Sequence, residues 1–465
     1  MVSCKEVCKI INESEQIFRE CYSILNKFKN KEIINKKSGE IFKFQPKLAT
    51  TLFKLDEYYR KIIQKEKKLI KNKKSYENKW FVKNLNSLNS YKKAINEAIE
   101  IGKGIGDSFA WIFYYRNTKF LNKHLEHQKI SHTPPGIGGE AELQFIKNIF
   151  KFEEFFVLYH GITSFLRVGD VSLIDLKLGE VVALGEIKAI NKDNKELNLS
   201  LHVIGPNKFG QNLSKLKKGG KPKKLPLNIE SKLKIQLNNM GKFFDKNIMS
   251  IGKEDILNAY NIFNLQKLFD KITKKKIVIE KVSESLLIFG IRNNKKTLAK
   301  RILKEPRAQN NKIFEKVNLS SNVQNILDKS SSENQLILGE LSINYFIGGT
   351  PIFWWPLQKK VLEKLFFKEI IFITIYNPYY FVKKLRESEF KITYTGVKWN
   401  FKISRLINGK TLSIENVNYF INAITYHLMK EEAIIELLLK LVEKAKNGEI
   451  IENSKTMIEI THIMI

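Results

Sequence analysis

Cysteine is scarce in this sequence, and long apolar runs are missing. The 465 residues include three cysteines, Cys4, Cys8 and Cys21, all close to the N-terminus. No paired Cys and His residues follow at zinc-ligand spacing, so we expect these thiols to be buried on an N-terminal helix of a reducing, cytoplasmic protein. No apolar run approaches the roughly 18–20 residues that cross a bilayer, and the N-terminus has no signal-peptide core. Neither a membrane partner nor secretion is expected.

Acidic residues are also few compared with basic residues. The sequence has 80 Lys and Arg residues against 48 Asp and Glu residues, and its formal net charge is +32. An AT-rich genome enriches Lys, Asn and Ile together, but it does not explain the imbalance between basic and acidic residues. The charge therefore favours a polyanionic partner, nucleic acid before membrane. A structural or interaction protein whose charge follows genome composition is the alternative.

The hydrophobic pattern divides the chain into four parts. Helical periodicity dominates residues 1–135, which we predict to be a basic α-helical region that ends at Pro134-Pro135. Strand-like segments alternate with helices in residues 136–304. Residues 305–335 are polar and indicate a linker or loop, and residues 336–465 have α/β character. The predicted fold class is mixed α/β, or α+β.

The segment FLRVGDVSLIDLKLGEVVALGEIKAI, residues 165–190, is typical of a β-hairpin that carries charge. Phe165–Leu176 is predicted as the first strand, Leu178-Gly179 as the turn, and Val181 to about Ile190 as the second strand. Acidic and basic side chains in such an apolar hairpin are costly unless they have partners or bind a metal. This cost is the first indication of a functional site.

Three residues of the hairpin suit phosphodiester chemistry. Glu186 and Lys188 are two positions apart on one strand and should point to the same side. With the turn centred between Leu178 and Gly179, Asp170 is predicted to lie opposite Ile187 and beside Glu186. The two carboxylates and the backbone carbonyl of Ile187 would suit Mg²⁺, which prefers oxygen ligands. The Lys188 ammonium would position the attacking water and offset charge on the phosphorane.

Other acid-x-Lys patterns occur in this Lys-rich chain, and their context sets them aside. They lie in helices or polar loops, or no acid stands on the strand before them. Asp175 is the alternative to Asp170, but it lies five positions away and should face the other side of the sheet unless a bulge intervenes. The predicted register also places it opposite Val182. The patterns set aside begin at Glu66, Glu77, Asp175, Asp193, Glu230 and Glu389.

Residues 138–190 resemble the core of the PD-(D/E)XK nuclease superfamily, which has the restriction-endonuclease-like fold. The order of that core is a helix with a Glu, a strand, a strand with an Asp and a strand with (D/E)-x-K. Gly169-Asp170 followed by apolar residues matches the third element, and Gly185-Glu186-Ile187-Lys188-Ala189 matches the fourth. The proline of the family's name is absent here.

The resemblance implies a core of helix, mixed β-sheet and helix, flanked by the N-terminal helical and the C-terminal α/β regions. It implies that Asp170 and Glu186 are metal ligands, that Lys188 is the catalytic lysine and that Glu142 is the upstream acid. The family often has a Gln or Lys on the following helix, for which Gln211 and Gln236 are the candidates. The last core strand is expected within residues 229–290, or alternatively in the helix–strand segment 358–376.

The implied activity is Mg²⁺-dependent cleavage of DNA, with Mn²⁺ as a substitute, in bacterial restriction or anti-phage defence. Double-strand cutting usually needs two active sites, which favours a homodimer. No helicase, ATPase or methyltransferase motif is visible in the sequence, so a partner protein would have to supply any targeting or ATPase activity. A non-catalytic nucleic-acid-binding protein that retains the fold and an RNA-directed nuclease are the alternatives.

Several local predictions concern other segments. Residues 31–47 are predicted as a basic loop. Gly102, Gly104 and Gly106 are predicted to end a helix, so that Asp107 caps the next one. The imidazoles of His124 and His127 are interpreted as surface or interface groups, since no third metal ligand is evident. The lysine-rich residues 205–226 are either a phosphate-contacting loop or a solvated linker, and the aromatic residues 353–355 are expected in a core.

Overall fold

The structure, a computed structural model, describes most of the chain and divides into two units. The first unit consists of Met1–Asn247 and Thr297–Leu303. The second unit consists of Ile248–Lys296 and Lys304–Ile465. Each unit combines helices with antiparallel strands, which confirms the mixed α and β composition. In the part described, no helix is long and apolar enough to cross a membrane. The described residues are 2–29, 40–114, 118–125, 137–148, 151–152, 155–191, 197–205, 259–303, 319–329, 331, 333–341, 351–395, 401–415 and 417–448.

Helices form the N-terminal part of the first unit, as predicted. They are α1 (Cys4–Lys29), α2 (Glu40–Lys71), α3 (Asn78–Tyr114), α4 (Thr118–Leu125) and α5 (Ile137–Asn148). Apolar residues at helical spacing line their contacts, and α1, α2 and α3 pack against one another. The short helix Leu298–Leu303 packs on α1. Cys21 is buried as expected, whereas Cys4 is exposed and Cys8 half-buried because they lie near the outer end of α1.

The start of α2 corrects the predicted loop over residues 31–47. The helix already includes Glu40 and continues through Pro46, and residues 31–39 lie outside the described part. Phe44 and Gln45 are buried, and the Gln45 side chain bonds to the sheet. These contacts outweigh the intrahelical hydrogen bond that a proline cannot donate.

Helix α3 corrects the predicted break at the glycines. It continues through Gly102, Gly104 and Gly106, and Asp107 is a buried residue inside it rather than an N-cap. A Cβ added to Gly106 would lie 1.9 Å from the carbonyl oxygen of Ile162. The glycines here allow a close approach between the helix and its neighbours, which the sequence pattern alone does not distinguish from a helix end.

In the described part of the first unit, the sheet has five strands in sequential order, all antiparallel. They are β1 (Lys151–Phe152), β2 (Phe155–Tyr159), β3 (Val171–Asp175), β4 (Glu180–Asn191) and β5 (Leu197–Ile204). Strand β3 is shorter than predicted, because residues 165–170 form an irregular segment before it. The predicted turn is confirmed: Gly179 has a φ of +67°, and its N–H donates to the carbonyl of Asp175 at 2.7 Å.

The second unit contains two further antiparallel sheets. One has the order β6-β7-β9-β8 and the other the order β10-β11-β12. Phe353 and Trp355 are buried in this unit, which confirms the core role predicted for the aromatic segment. The strands are β6 (Ile277–Lys281), β7 (Leu286–Arg292), β8 (Ile337–Glu340), β9 (Ile370–Tyr376), β10 (Lys391–Tyr394), β11 (Phe401–Ile407) and β12 (Lys410–Ile414). The helices are Ile262–Lys274, Leu319–Gln324, Lys359–Phe366, Tyr379–Glu387, Asn418–His427 and Glu431–Lys446.

Among the described residues, neither region predicted to hold the final strand contributes a strand to the sheet that carries the Glu-x-Lys motif. The strands within residues 229–290 and the strand of segment 358–376 pair with each other in the second unit. The neighbour of β4 is instead β5, and the five residues between these two strands are too few for a helical crossover. Among the described residues this sheet is antiparallel throughout, so the mixed sheet implied by the resemblance is not found there.

Candidate functional site

The four predicted side chains come together on one side of the sheet. Glu142 projects from α5, Asp170 immediately precedes β3, and Glu186 and Lys188 lie on β4. Lys188 Nζ donates to Glu186 Oε1 at 2.7 Å, and the backbone N–H of Ile187 donates to Asp170 Oδ2 at 2.7 Å. The charges of Glu142, Glu186 and Lys188 all act on the Asp170 carboxyl. A helix and a hairpin therefore bring three acids and one lysine into a single cluster.

The strand register differs from the prediction by one residue near Asp170 and by two residues at the turn. Asp170 was placed opposite Ile187 and Asp175 opposite Val182; in the structure Val171 pairs with Gly185 and Asp175 with Glu180. A bulge lies at Leu173/Ile174. Bulges depend on local packing and are not visible in an alternating pattern.

Asp170 nevertheless lies beside Glu186, since the Asp170 N–H donates to the carbonyl of Gly185 at 2.8 Å. Asp175 has a different role. Its Oδ1 accepts the backbone N–H groups of Lys177 and Leu178 at 2.8 and 3.2 Å. This pattern is typical of an Asp that stabilises a tight turn. The carboxylate next to Glu-x-Lys is thus that of Asp170, and the Asp175 carboxylate belongs to the turn.

The electrostatics of the cluster favour protonated carboxyls. Burial raises the pKa of Asp170 well above its usual range, and the charges of Glu142 and Glu186 raise it further. The hydrogen bond from the Ile187 N–H and the charge of Lys188 lower this pKa, but they do not offset the increase. Burial also raises the pKa of Glu142 to about 7, although the hydrogen bond from Tyr159 lowers it. Carboxyls held this way are destabilised when ionised unless a cation neutralises them.

The donor set fits a hard cation with oxygen ligands. Among the described residues, no three His, Cys, Asp or Glu side chains are arranged to hold a metal ion. An ion here would therefore take the carboxylates of Asp170 and Glu186, a backbone oxygen and water, as Mg²⁺ commonly does. In a strand the N–H and C=O of one residue point to the same side. Because the Ile187 N–H bonds to Asp170, its carbonyl is directed to that side as well.

A chain of buried hydrogen bonds runs beside the cluster. His124 Nδ1 accepts the backbone N–H groups of Arg167 and Val168, so its ring proton is on Nε2, 3.1 Å from the Tyr114 hydroxyl. That hydroxyl lies 2.6 Å from Ser172 Oγ, which lies 2.6 Å from His160 Nε2. The donors can be assigned in one direction, from His124 through Tyr114 and Ser172 to His160.

His160 attaches this chain to the segment that carries Asp170. Its Nδ1 donates to the carbonyl of Gly169 at 2.9 Å, and its backbone N–H donates to the carbonyl of Asp170 at 2.9 Å. Burial lowers the pKa of His160 to about 4, which keeps the imidazole neutral as this arrangement requires. The irregular segment before β3 is therefore held on both sides by buried histidines.

Helix α2 supports the same sheet through one side chain. Gln45 Nε2 donates to the carbonyl of Val157 at 2.7 Å, and Gln45 Oε1 accepts the N–H of Tyr159 at 2.7 Å. The Tyr159 hydroxyl in turn donates to Glu142 Oε2 at 2.7 Å. The N-terminal helices thus help to position the upstream acid.

Sequence reasoning missed most of these supporting residues. The interpretation of His124 as a surface residue is wrong, because its side chain is buried and fully engaged. Tyr159 is the last residue of the buried strand β2 and His160 directly follows it, and polar side chains at the end of a buried strand were the available signal. Residues 206–226 of the lysine-rich segment and the residues His127, Gln211 and Gln236 lie outside the described residues.

Comparison with known proteins adds no relative from which a function could be transferred. No family model, no curated protein and no solved structure matches this chain.

Proposed function

We propose that this protein is a metal-dependent nuclease of the PD-(D/E)XK type, which hydrolyses phosphodiester bonds of DNA. The observation that supports the proposal is the convergence of Glu142, Asp170, Glu186 and Lys188 from a helix and a β-hairpin, in the chain order of that superfamily. Three acids around one lysine in a buried site are costly for a structural role alone. The cost is understandable if the acids hold a cation.

Asp170, Glu186 and the carbonyl of Ile187 would hold one Mg²⁺ ion. When bound, this ion would supply positive charge next to the scissile phosphate. Lys188 already contacts Glu186 and would orient the attacking water and stabilise charge on the phosphorane. The Glu142 carboxyl, with its pKa of about 7, would accept and release a proton near neutral pH.

The partner in this proposal is DNA, with RNA as the alternative substrate. The net charge of +32 supports a polyanionic substrate. A cytoplasmic role in restriction or anti-phage defence fits such a nuclease. A homodimer would supply the second active site for double-strand cutting, and a partner protein would supply any targeting or ATPase activity.

The test is cleavage of plasmid DNA, linear DNA and RNA by the purified protein with Mg²⁺, with Mn²⁺ and with EDTA. We expect cleavage of DNA that EDTA abolishes, and loss of cleavage in Asp170→Asn with DNA binding retained. Asp175→Asn is the matched control, because it removes the other acid of the same hairpin and should still cut. Cleavage by Asp170→Asn at the wild-type rate would refute the proposal. Binding without any cleavage would indicate a non-catalytic nucleic-acid-binding protein.

A further inference from the structure

The connection between α2 and α3 carries a concentrated positive charge far from the acid cluster. We define the basic tip as residues 61–83, which contain nine lysines and two glutamates, a net charge of +7. Every residue from Ile70 to Trp80 is exposed. One of the two acids, Glu66, is already neutralised by Lys92 at 2.6 Å. The tip therefore presents lysines almost without competing acids.

An aromatic pair lies among these lysines. The rings of Tyr76 and Trp80 are 4.6 Å apart between centroids at an angle of 32°, and each residue is 37% exposed. Ile70 and Val82 of the basic tip are also exposed. The tip thus combines lysines with a closely spaced pair of partly exposed aromatic rings. Lysines that contact phosphates, combined with an aromatic surface that contacts sugars, suit binding to a nucleic-acid backbone.

The tip lies at a defined distance from the candidate active site within the same unit. Gln45 contacts β2 at Tyr159, and Lys71 follows 26 residues further along α2, which corresponds to about 39 Å at 1.5 Å per residue. Along α3, Trp80 precedes Asp107 by 27 residues, or about 40 Å, and Asp107 accepts hydrogen bonds from Ser164, which lies just before the segment that leads to Asp170. Both helices give the same separation.

We propose that the basic tip is a second nucleic-acid-binding surface, which holds a duplex about 12 base pairs from the bond that is cut. At 3.4 Å per base pair, about 40 Å corresponds to about 12 base pairs. The inference that the tip binds nucleic acid depends only on the charge and the aromatic pair of the tip. The inferred distance to the cut bond also rests on the proposed nuclease function. The substrate would then be duplex DNA longer than one helical turn.

The binding part is tested in the cleavage-deficient Asp170→Asn protein by titrating a 30-base-pair duplex at several salt concentrations. The variant Lys71→Gln/Lys73→Gln/Lys74→Gln is expected to lower the slope of log K against log salt by up to about 2.7. The matched control is Lys274→Gln/Lys275→Gln/Lys276→Gln, three exposed lysines of the second unit. An unchanged slope and affinity in the tip variant, or an equal loss in both triple variants, overturns the inference.

The aromatic pair has its own test in the same background. Trp80→Ala is expected to weaken duplex binding severalfold, whereas Trp80→Phe keeps an aromatic ring that can contact the sugars of the duplex and should lose much less. Thermal melts of each variant confirm that the fold is retained, as expected for exposed positions. Equal binding by Trp80→Ala and the parent protein overturns the role of the aromatic pair.

The distance is tested with the cutting protein on duplexes of 8 to 30 base pairs. In the wild type we expect kcat/KM to rise at least about tenfold above 12 base pairs, and in the tip variant we expect this rise to disappear. A rise that persists in the tip variant overturns the anchoring role. If the wild type cuts no duplex at all, the nuclease proposal fails, and the salt titration still decides whether the tip binds DNA.

Discussion

The backbone N–H of Ile187 donates a hydrogen bond to Oδ2 of Asp170 over 2.7 Å. One short segment of β4 therefore serves the site in two ways: Glu186 and Lys188 supply side chains, and the residue between them holds the carboxylate of the other strand. The same bond directs the Ile187 carbonyl to the Asp170 side. This hydrogen bond links the Asp170 carboxylate directly to the segment that carries Glu186 and Lys188.

Removal of the Lys188 ammonium should separate catalysis from binding. Lys188→Met is expected to lower kcat by at least about a hundredfold while DNA affinity changes little, because the ammonium acts on charge that develops in the transition state. Lys177→Met, in the exposed turn of the same hairpin, is the control and should retain activity. The measurement is single-turnover cleavage with a parallel binding titration. A parallel loss of affinity and rate would instead assign Lys188 to substrate binding.

The buried hydrogen-bond chain should contribute to stability. Tyr114→Phe removes the hydroxyl between His124 and Ser172, and leaves buried polar groups without a partner. We expect a loss of about 1–3 kcal/mol in the free energy of unfolding, measured by urea denaturation. Tyr394→Phe, at an exposed tyrosine, should change it by less than about 0.5 kcal/mol. Equal effects of the two substitutions would contradict the role of the chain.

Two glycines in helices should respond in opposite directions to alanine. Gly106→Ala places a Cβ 1.9 Å from the Ile162 carbonyl oxygen and should destabilise the protein by about 1–3 kcal/mol or more. Gly138→Ala in α5 meets no atom within 4 Å and should stabilise it by up to about 1 kcal/mol. Thermal melting measures both effects. A neutral Gly106→Ala would mean that α3 and the residue-162 backbone are less closely packed than described.

The Glu142 carboxyl should make stability depend on pH. Its pKa is about 7 in the folded protein against 4.5 as an ordinary value, so the folded state retains a proton that the unfolded chain releases. Stability from this group is fully present below pH 4.5 and is lost as the pH rises through about 7. The loss is on the order of 3 kcal/mol.

The measurement is the free energy of unfolding in EDTA at pH 5 to 8 for wild type and Glu142→Gln. The variant cannot ionise at this position, so its stability relative to wild type should increase toward pH 8. Glu140→Gln, at an exposed acid on the same helix, is the control and should follow the wild type. A constant difference between wild type and Glu142→Gln across this range would show that Glu142 does not titrate as described.

Local sequence patterns predicted the parts of the site that depend on neighbours in the chain. The alternation in β4 directed Glu186 and Lys188 to one side, and Leu178-Gly179 marked the turn, so the structure brings together the residues that were expected. The register was wrong by two residues at the turn and by one residue near Asp170, and the bulge at Leu173/Ile174 that separates these two parts follows from packing rather than from the pattern.

Features that depend on distant contacts could not be predicted in this way. Pro46 and Gly106 are local helix-breaking signals, yet tertiary contacts override both, from Gln45 to the sheet and from α3 to Ile162. One partner of β9 is β7, a strand about eighty residues earlier, and no local pattern encodes that pairing. The histidines that hold the Asp170 segment are recognisable only once their partners are placed.

The side chain of Gln45 also has a consequence for association between molecules. β1 pairs with only two residues of β2, so the backbone of β2 beyond it would offer free hydrogen-bonding groups at Val157 and Tyr159. The Gln45 amide occupies both of these groups, as a neighbouring strand would. An incoming strand therefore cannot extend the sheet at this edge, which protects it from edge-to-edge aggregation. The homodimer proposed above would therefore not form by strand pairing at this edge.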